Sequence, residues 1–196
     1  MLTSDKLTKA FQLFDEANSR DPHTEEWDGK TYPKELLYAI HMTNKLQDFA
    51  PNASEALRLT ARCQHIRRWE IPRESYRMNR TGYLKWREDL KKFHVKIADK
   101  ILREVEYDQK TIDRVVFLLE KKHLKKNVDT QLLEDVICLV FLEFYFEPFA
   151  QKHPEEKVVD ILQKTWRKMS GEGQKAALRL PLSKYSLGLI ATALQG

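Results

Sequence analysis

The chain has 196 residues, of which 42% are apolar and 32% are charged, and its net charge is +5. These values are typical of a globular protein of about one domain, and they argue against a disordered chain. The N-terminal stretch has no apolar run of the signal-peptide type, and the longest apolar run, residues 136–142, is too short to span a bilayer. We therefore expect a cytoplasmic protein without a membrane segment, in which Cys63 and Cys138 are buried, reduced thiols.

Apolar residues recur at helical spacing along nearly the whole chain. The pattern predicts helices over residues 7–17, 33–49, 53–69, 82–104, 109–124, 132–146 and 158–169, followed by a short helical tail. Residues 18–32 and the linker that ends at Thr81 are predicted loops, and Gly171 with Gly173 predicts a turn.

These elements predict an all-α fold, a single-domain helical bundle over residues 1–196. Within it we expect an N-terminal helix in residues 1–17, a core in residues 33–146 and C-terminal helices in residues 158–196. The few glycines and prolines, six and seven, agree with this fold class and argue against an all-β fold.

One basic segment, residues 64–94, holds nine Lys or Arg and four Asp or Glu, so its local balance of +5 equals that of the whole chain. Guanidinium groups bind phosphate and carboxylate groups well. The segment therefore predicts a site for an anionic, phosphorylated small molecule, although a solvated basic face above buried aromatic residues would have the same pattern. The residues expected to bind the substrate are Arg68, Arg73, Arg80, Arg87 and Lys91.

A nucleic-acid partner is possible for such a segment but is not favoured. Aromatic side chains among basic ones can stack on the bases of single strands. However, Trp86 falls at core spacing with Leu90 and Phe93, and a net charge of +5 is mild for this chain length.

Three histidines, His41, His65 and His94, lie at core positions of three predicted helices. Asp135 lies on the most apolar predicted helix, where an unpaired carboxylate is costly. Imidazole and carboxylate groups together are typical ligands of zinc, manganese or iron. The sequence therefore predicts either a metal site formed by these four residues or, on equal terms, satisfied core histidines and a buried ion pair at Asp135.

The order of these residues resembles the HD superfamily of helical metal-dependent phosphohydrolases, whose pattern is a first His, a His-Asp doublet and a distant Asp. His41, His65 and Asp135 fall at the first His, the doublet His and the final Asp, and Ile66 stands where the doublet has its Asp. The resemblance implies an HD-like fold and a metal-dependent hydrolase of a phosphorylated small molecule or nucleotide, with His94 as a replacement ligand.

In that interpretation Glu70 or Glu143 would take the proton of the attacking water. Ile66 instead favours a scaffold without a metal that serves as an anion- or nucleotide-binding sensor or interaction module. A third interpretation is an iron-dependent oxygenase, because His-rich HD relatives perform such chemistry.

A second resemblance covers nearly the full length of the chain. Seven stretches of the chain resemble the family catalogued as domain of unknown function 4202. They are NSRDP, YPKELLYAIHMT, QHIRRWEIPRESY, RTGYLKWR, LKKFH, QLLEDVICLVFLEFYF and KTWRKMS. Arg77 is a departure, since the family usually has Pro there. The resemblance implies a helical protein of about this size and assigns no activity.

Overall fold

The computed structural model describes residues 5–195, so residues 1–4 and Gly196 of the predicted terminal helices lie outside the described residues. The chain forms two compact units: unit 1 contains residues 5–44 and 52–122, and unit 2 contains residues 45–51 and 123–195. Helices make up most of both units, which confirms the predicted all-α fold class.

The elements of unit 1, in chain order, are five helices, two short strands and two single 3₁₀ turns. They are α1 (Asp5–Asn18), β1 (Thr24–Trp27), β2 (Lys30–Pro33), α2 (Lys34–Phe49), α3 (Glu55–Cys63), the turns Arg68–Glu70 and Arg73–Ser75, α4 (Arg80–Glu104) and α5 (Gln109–Leu119). The last residues of α2 belong to unit 2.

A β-hairpin occupies the segment that was predicted to be a loop, residues 18–32. Its strands pair antiparallel with Trp27 opposite Lys30. Asp28 and Gly29 connect them, and both have positive φ angles, 50° and 69°. An Asp-Gly pair with this geometry is a favoured two-residue hairpin turn, so the sequence did contain a local signal for the hairpin.

The core of unit 1 lies where α3 and α4 pack on α1 and α5. Its fully buried members are apolar side chains from all four helices and from the turn after α3: Ala10, Phe14, Leu59, Cys63, Ile66, Ala98, Leu102 and Val115. A bidentate ion pair joins two of the helices, because Arg62 on α3 donates from Nε and Nη2 to the carboxylate of Asp15 on α1, at 2.7 and 2.5 Å.

Unit 2 contains the remaining helices in chain order. They are α6 (Val128–Val140), a π-helical turn (Phe141–Tyr145), α7 (Phe146–Ala150), α8 (Glu155–Lys168), α9 (Gly171–Ala177) and α10 (Lys184–Gln195). The predicted turn at Gly171 and Gly173 is wrong, because both glycines lie in α9, where Ser170 Oγ accepts from the amide of Gly173 and caps the helix. Within residues 5–195, every helix is too short or too polar to cross a membrane.

Several helix ends are set by caps. The side chain of Asp108 caps α5 by accepting from the amide of Thr111. Ser54 and Asn127 cap α3 and α6. The two cysteines are buried and free, as predicted, and burial raises the pKa of the Cys63 thiol well above its usual range.

Candidate functional site

A buried carboxyl group and an imidazole meet at the centre of unit 1. Glu35, in the first turn of α2, is 6% exposed. Its Oε2 lies 3.3 Å from Nδ1 of His65, and its Oε1 lies 3.9 Å from Nε of Arg68. We call Glu35, Tyr38, His65, Arg68 and His94 the Glu35 cluster.

The imidazole of His65 is contacted on three sides. Tyr38 stacks on it, with ring centroids 4.0 Å apart and planes 11° apart. Nη1 of Arg68 lies 2.9 Å from Nε2 of His65. A guanidinium group can only donate, so Nε2 accepts this hydrogen bond and the proton of the neutral ring lies on Nδ1, which faces Glu35.

His94 completes the cluster from α4. Its Nδ1 lies 2.8 Å from the carbonyl oxygen of Ile66. A carbonyl group can only accept, so Nδ1 carries the proton and Nε2 of the neutral ring is unprotonated. The ring centroids of His65 and His94 are 6.1 Å apart. The cluster therefore holds two neutral imidazoles of defined tautomer beside one carboxyl group.

Burial sets the protonation of all three groups. It raises the pKa of Glu35 to about 7, although the nearby charge of Arg68 opposes the rise. It lowers the pKa of His94 to about 3, helped by His65. The pKa of His65 is held well below its usual range, first by burial and then by the charge of Arg68. Near neutral pH, Glu35 therefore exchanges a proton easily while both histidines stay uncharged.

Positive charge surrounds the cluster. Besides Arg68, the cations Lys121, Arg87 and Lys34 each lower the pKa of His65 by their charge. The side chains of His65 and Arg68 are 22% and 29% exposed, so solvent reaches the polar groups of the cluster. Part of each of these two side chains is therefore accessible from solution.

Two side chains from the hairpin segment hold the cluster together. Asp21 Oδ2 accepts from the amide of Glu35 at 3.0 Å, and Asn18 Nδ2 lies 3.4 Å from the carbonyl oxygen of Glu35. Asn18 Oδ1 also accepts from the amide of Arg67 at 2.9 Å. Both side chains are buried. They fix the first turn of α2 against the turn that carries His65 and Arg68.

The loop after the cluster is fixed to α4. Nε1 of Trp86 donates to the carbonyl oxygen of Ile71 at 2.8 Å, and the guanidinium of Arg68 lies 4.9 Å from the centroid of the Trp86 ring. Arg73 donates to the carbonyl oxygens of Tyr76, Arg77 and Asn79. Trp86 thus supports Arg68 from beneath, as a core residue of α4 rather than as a base-stacking surface.

The predicted anion-binding residues have different positions. Arg68 is part of the cluster, and Arg87 is near enough to act on His65 by its charge while it donates to the hydroxyl of Tyr83 at 3.1 Å. Arg73 uses its guanidinium to hold the loop. Arg80 is exposed at the start of α4, and Lys91 is half-buried further along that helix.

Neither of the predicted proton acceptors, Glu70 and Glu143, contacts His65 with its carboxylate. Glu70 pairs with Nε of Arg67 at 2.5 Å, and Glu143 pairs with Lys45 within unit 2. Each carboxylate is held by a cation of its own. Glu35, which was not among the predicted site residues, contacts the imidazole instead.

The predicted ligands for zinc, manganese or iron were His41, His65 and His94, which lie in unit 1, and Asp135, which lies in unit 2. In the described part of the chain, no group of three or more His, Cys, Asp or Glu side chains is placed to hold a metal ion. Arg68 occupies Nε2 of His65, and the cations around it would repel a metal cation. His41 is buried with its ring edge-on to Trp27, at a centroid distance of 5.1 Å. In unit 1, Nε2 of His65 is therefore already occupied, and the described histidines belong to no group of three metal donors.

Asp135 has a structural partner inside unit 2. Its Oδ1 accepts from the amide of Ser170 at 2.7 Å and from Gln131 at 3.0 Å, and its Oδ2 accepts from Ser170 Oγ at 2.6 Å. The residue is 1% exposed. These bonds satisfy the carboxylate within unit 2 and fix the start of α9, and the predicted burial of Asp135 is correct.

Substituting Gly173 by alanine tests this contact, because the added Cβ would lie 2.6 Å from Oδ1 of Asp135. We expect the Gly173→Ala variant to lose about 1–3 kcal/mol of stability by overpacking. Gly171→Ala is the matched control on the same helix, since its Cβ would meet nothing within 4 Å. Thermal unfolding of both variants checks the prediction, and equal stabilities would contradict it.

Four residues of the site were not predicted from the sequence: Asn18, Asp21, Glu35 and Tyr38. Glu35 looks like an ordinary acidic residue in the first turn of a helix, where a carboxylate is favourable. The available signal was the resemblance itself: Asn18 and Asp21 come from NSRDP, Glu35 and Tyr38 from YPKELLYAIHMT, and the histidines from QHIRRWEIPRESY and LKKFH. Four separate stretches therefore meet at one place.

The comparison with known proteins gives one match. A protein-family model described as Domain of unknown function (DUF4202) matches residues 8–190. No curated protein and no solved structure matches the chain.

Proposed function

We propose a function from the site alone, because the chain belongs to the family described as Domain of unknown function (DUF4202) and this description assigns no activity. The proposed function of unit 1 is to bind a small molecule that carries a phosphate group. The observation that carries the proposal is the Glu35 cluster, in which Arg68 lies at a partly exposed, otherwise neutral centre with three further cations around it. Phosphate groups take charge-assisted hydrogen bonds from guanidinium groups.

The balance of charge supports an anion as the ligand. The only carboxyl group in contact with His65, among the residues that the structure describes, is Glu35, and its raised pKa means that it is partly protonated at neutral pH. The charge of Arg68 is therefore only partly neutralised by the carboxyl group beside it. A bound phosphate would supply the missing negative charge.

Titration calorimetry with inorganic pyrophosphate, ATP and a sugar phosphate tests the proposal. Arg68→Met and Arg87→Met should each weaken the binding of the best ligand by about 10- to 100-fold, the equivalent of one charge-assisted hydrogen bond. Arg103→Met is the matched control, because it removes an exposed charge that pairs with Asp99 elsewhere on α4. Absence of binding by wild-type protein, or equal affinities for all variants, would refute the proposal.

Hydrolysis of that phosphorylated molecule is a second candidate, and one observation favours it. Glu35 has a pKa of about 7 and faces the protonated Nδ1 of His65, and a carboxylate behind an imidazole is a general arrangement for accepting a proton from water. Release of inorganic phosphate in the same samples, with and without EDTA, separates the candidates. Binding without release identifies a sensor or interaction module, and release that survives EDTA identifies a hydrolase that needs no metal.

A further inference from the structure

Arg68 covers the one nitrogen of His65 that can accept a proton. In the neutral ring the proton lies on Nδ1, which faces Glu35 at 3.3 Å, and the lone pair lies on Nε2. That lone pair accepts a hydrogen bond from Nη1 of Arg68 at 2.9 Å. While this bond persists, His65 cannot take a proton from any other group.

Arg68 is held in this position by weak or neutral partners. Its Nε lies 3.9 Å from Oε1 of Glu35, beyond hydrogen-bond distance, and its guanidinium lies 4.9 Å from the centroid of the Trp86 ring. Its one direct hydrogen bond in the cluster goes to an uncharged imidazole. A phosphate oxygen is a stronger acceptor for a guanidinium than a neutral nitrogen is, because the hydrogen bond is assisted by charge on both sides.

We infer that Arg68 is an anion-operated cover: a phosphate group draws the guanidinium away from Nε2 of His65 and so exposes the imidazole as a proton acceptor. The inference rests on the proposed phosphate site and assigns to one residue both the recognition of the anion and the control of His65. A proton taken at Nε2 would leave Nδ1–H in place, and the resulting imidazolium would face the carboxylate of Glu35.

The bound anion would act a second time, through charge. The four cations around the ring oppose a positive charge on His65. A phosphate group neutralises part of that field and makes protonation of Nε2 easier. The same ligand thus uncovers the base and makes the ring more basic, whereas the unliganded protein keeps His65 covered and neutral.

Nitrogen NMR of ¹⁵N-histidine-labelled protein tests the inference, because the Nε2 resonance reports whether the lone pair accepts a hydrogen bond. The Arg68→Met variant supplies the reference position for an uncovered ring, and its Met side chain can still pack on Trp86. At a pH where the ring stays neutral, we expect saturating pyrophosphate to move the wild-type Nε2 resonance to this reference, away from the protonated position, because the nitrogen loses an accepted hydrogen bond. Pyrophosphate at concentrations that saturate the wild type should leave the Nε2 resonance of Arg68→Met unchanged.

The outcomes separate this inference from the function on which it rests. Binding heat with an unmoved Nε2 resonance would overturn the cover and leave the phosphate site intact. Absence of binding heat would overturn both. If Arg68→Met does not fold, Arg68→Leu takes its place, because leucine likewise has no hydrogen-bond donor for Nε2. A wild-type resonance that already lies at the uncovered position without ligand would also overturn the inference.

Discussion

Glu35→Gln is expected to gain stability relative to wild type as the pH rises. The difference between their free energies of unfolding should shift in favour of the variant by about 3 kcal/mol between pH 4.5 and pH 7.5. Burial raises the pKa of Glu35 from its ordinary 4.5 to about 7. Below pH 4.5 the carboxyl group is protonated in both the folded and the unfolded chain. As the pH rises toward 7, the unfolded chain releases this proton first, so the wild-type protein loses stability that the glutamine variant keeps.

Urea unfolding at a series of pH values measures this difference. Tryptophan fluorescence follows mainly unit 1, which contains Trp27, Trp69 and Trp86. The lowered pKa values of His65 and His94 act in the opposite direction, because their stabilisation is present above pH 6.5 and is lost as the pH falls. Both histidines remain in the variant, so they largely cancel in the comparison.

The matched control for this prediction is Glu16→Gln. Glu16 is on α1, and its exposed carboxylate pairs with Arg20. Exposed pairs contribute little, so the control should follow the wild-type pH profile. A Glu35→Gln profile parallel to that of wild type would show that Glu35 titrates normally and that the buried pair with His65 does not form.

Gly82→Ala is expected to destabilise unit 1 by about 3 kcal/mol or more and to weaken the binding of phosphate ligands. The added Cβ would lie 2.1 Å from the carbonyl oxygen and 2.9 Å from the carbonyl carbon of Arg77. These are backbone atoms, so no side-chain rotation can relieve the clash. The same carbonyl oxygen accepts from Arg73 at 2.8 Å, and the loop must therefore move as a whole.

Binding should suffer because this loop supports the cluster. Its carbonyl at Ile71 holds Trp86, on which Arg68 packs. Gly188→Ala is the matched control, since its Cβ on α10 would meet nothing within 4 Å and should stabilise that helix by about 0.5–1 kcal/mol. Thermal unfolding and calorimetry with pyrophosphate give the two readouts. Wild-type stability and affinity in Gly82→Ala would contradict the tight approach of the loop to α4.

Helical periodicity predicted the fold class, since most helices of both units bury one regular stripe of apolar residues. It could not predict the hairpin, because the strands Thr24–Trp27 and Lys30–Pro33 are short and largely exposed. It also extended α3 to residue 69, whereas the helix ends at Cys63. The apolar spacing that appeared to continue to His65 comes from a turn that folds back onto the core, where Ile66 is fully buried.

The site was predicted in part, for reasons of chemistry rather than of position. His65, Arg68 and His94 were identified because imidazole and guanidinium groups are rare at core spacing. Glu35 was not, because the side chains that its carboxyl group contacts, His65 and Arg68, lie far from it in the sequence. The burial of Asp135 was predicted correctly. Its partner, Ser170, lies 35 residues later in the chain, and the sequence around Asp135 does not indicate this pair.

The hydrogen bond from the amide of Arg67 to Oδ1 of Asn18 bears on when the cluster forms during folding. The amide and the side-chain oxygen that it joins are 49 residues apart, and Asn18 also contacts Glu35. The entropy of closing the intervening chain must be overcome before the bond can form. Three helix-terminal segments therefore have to converge before Glu35 meets His65, and we expect the cluster to report completed tertiary structure rather than helix formation.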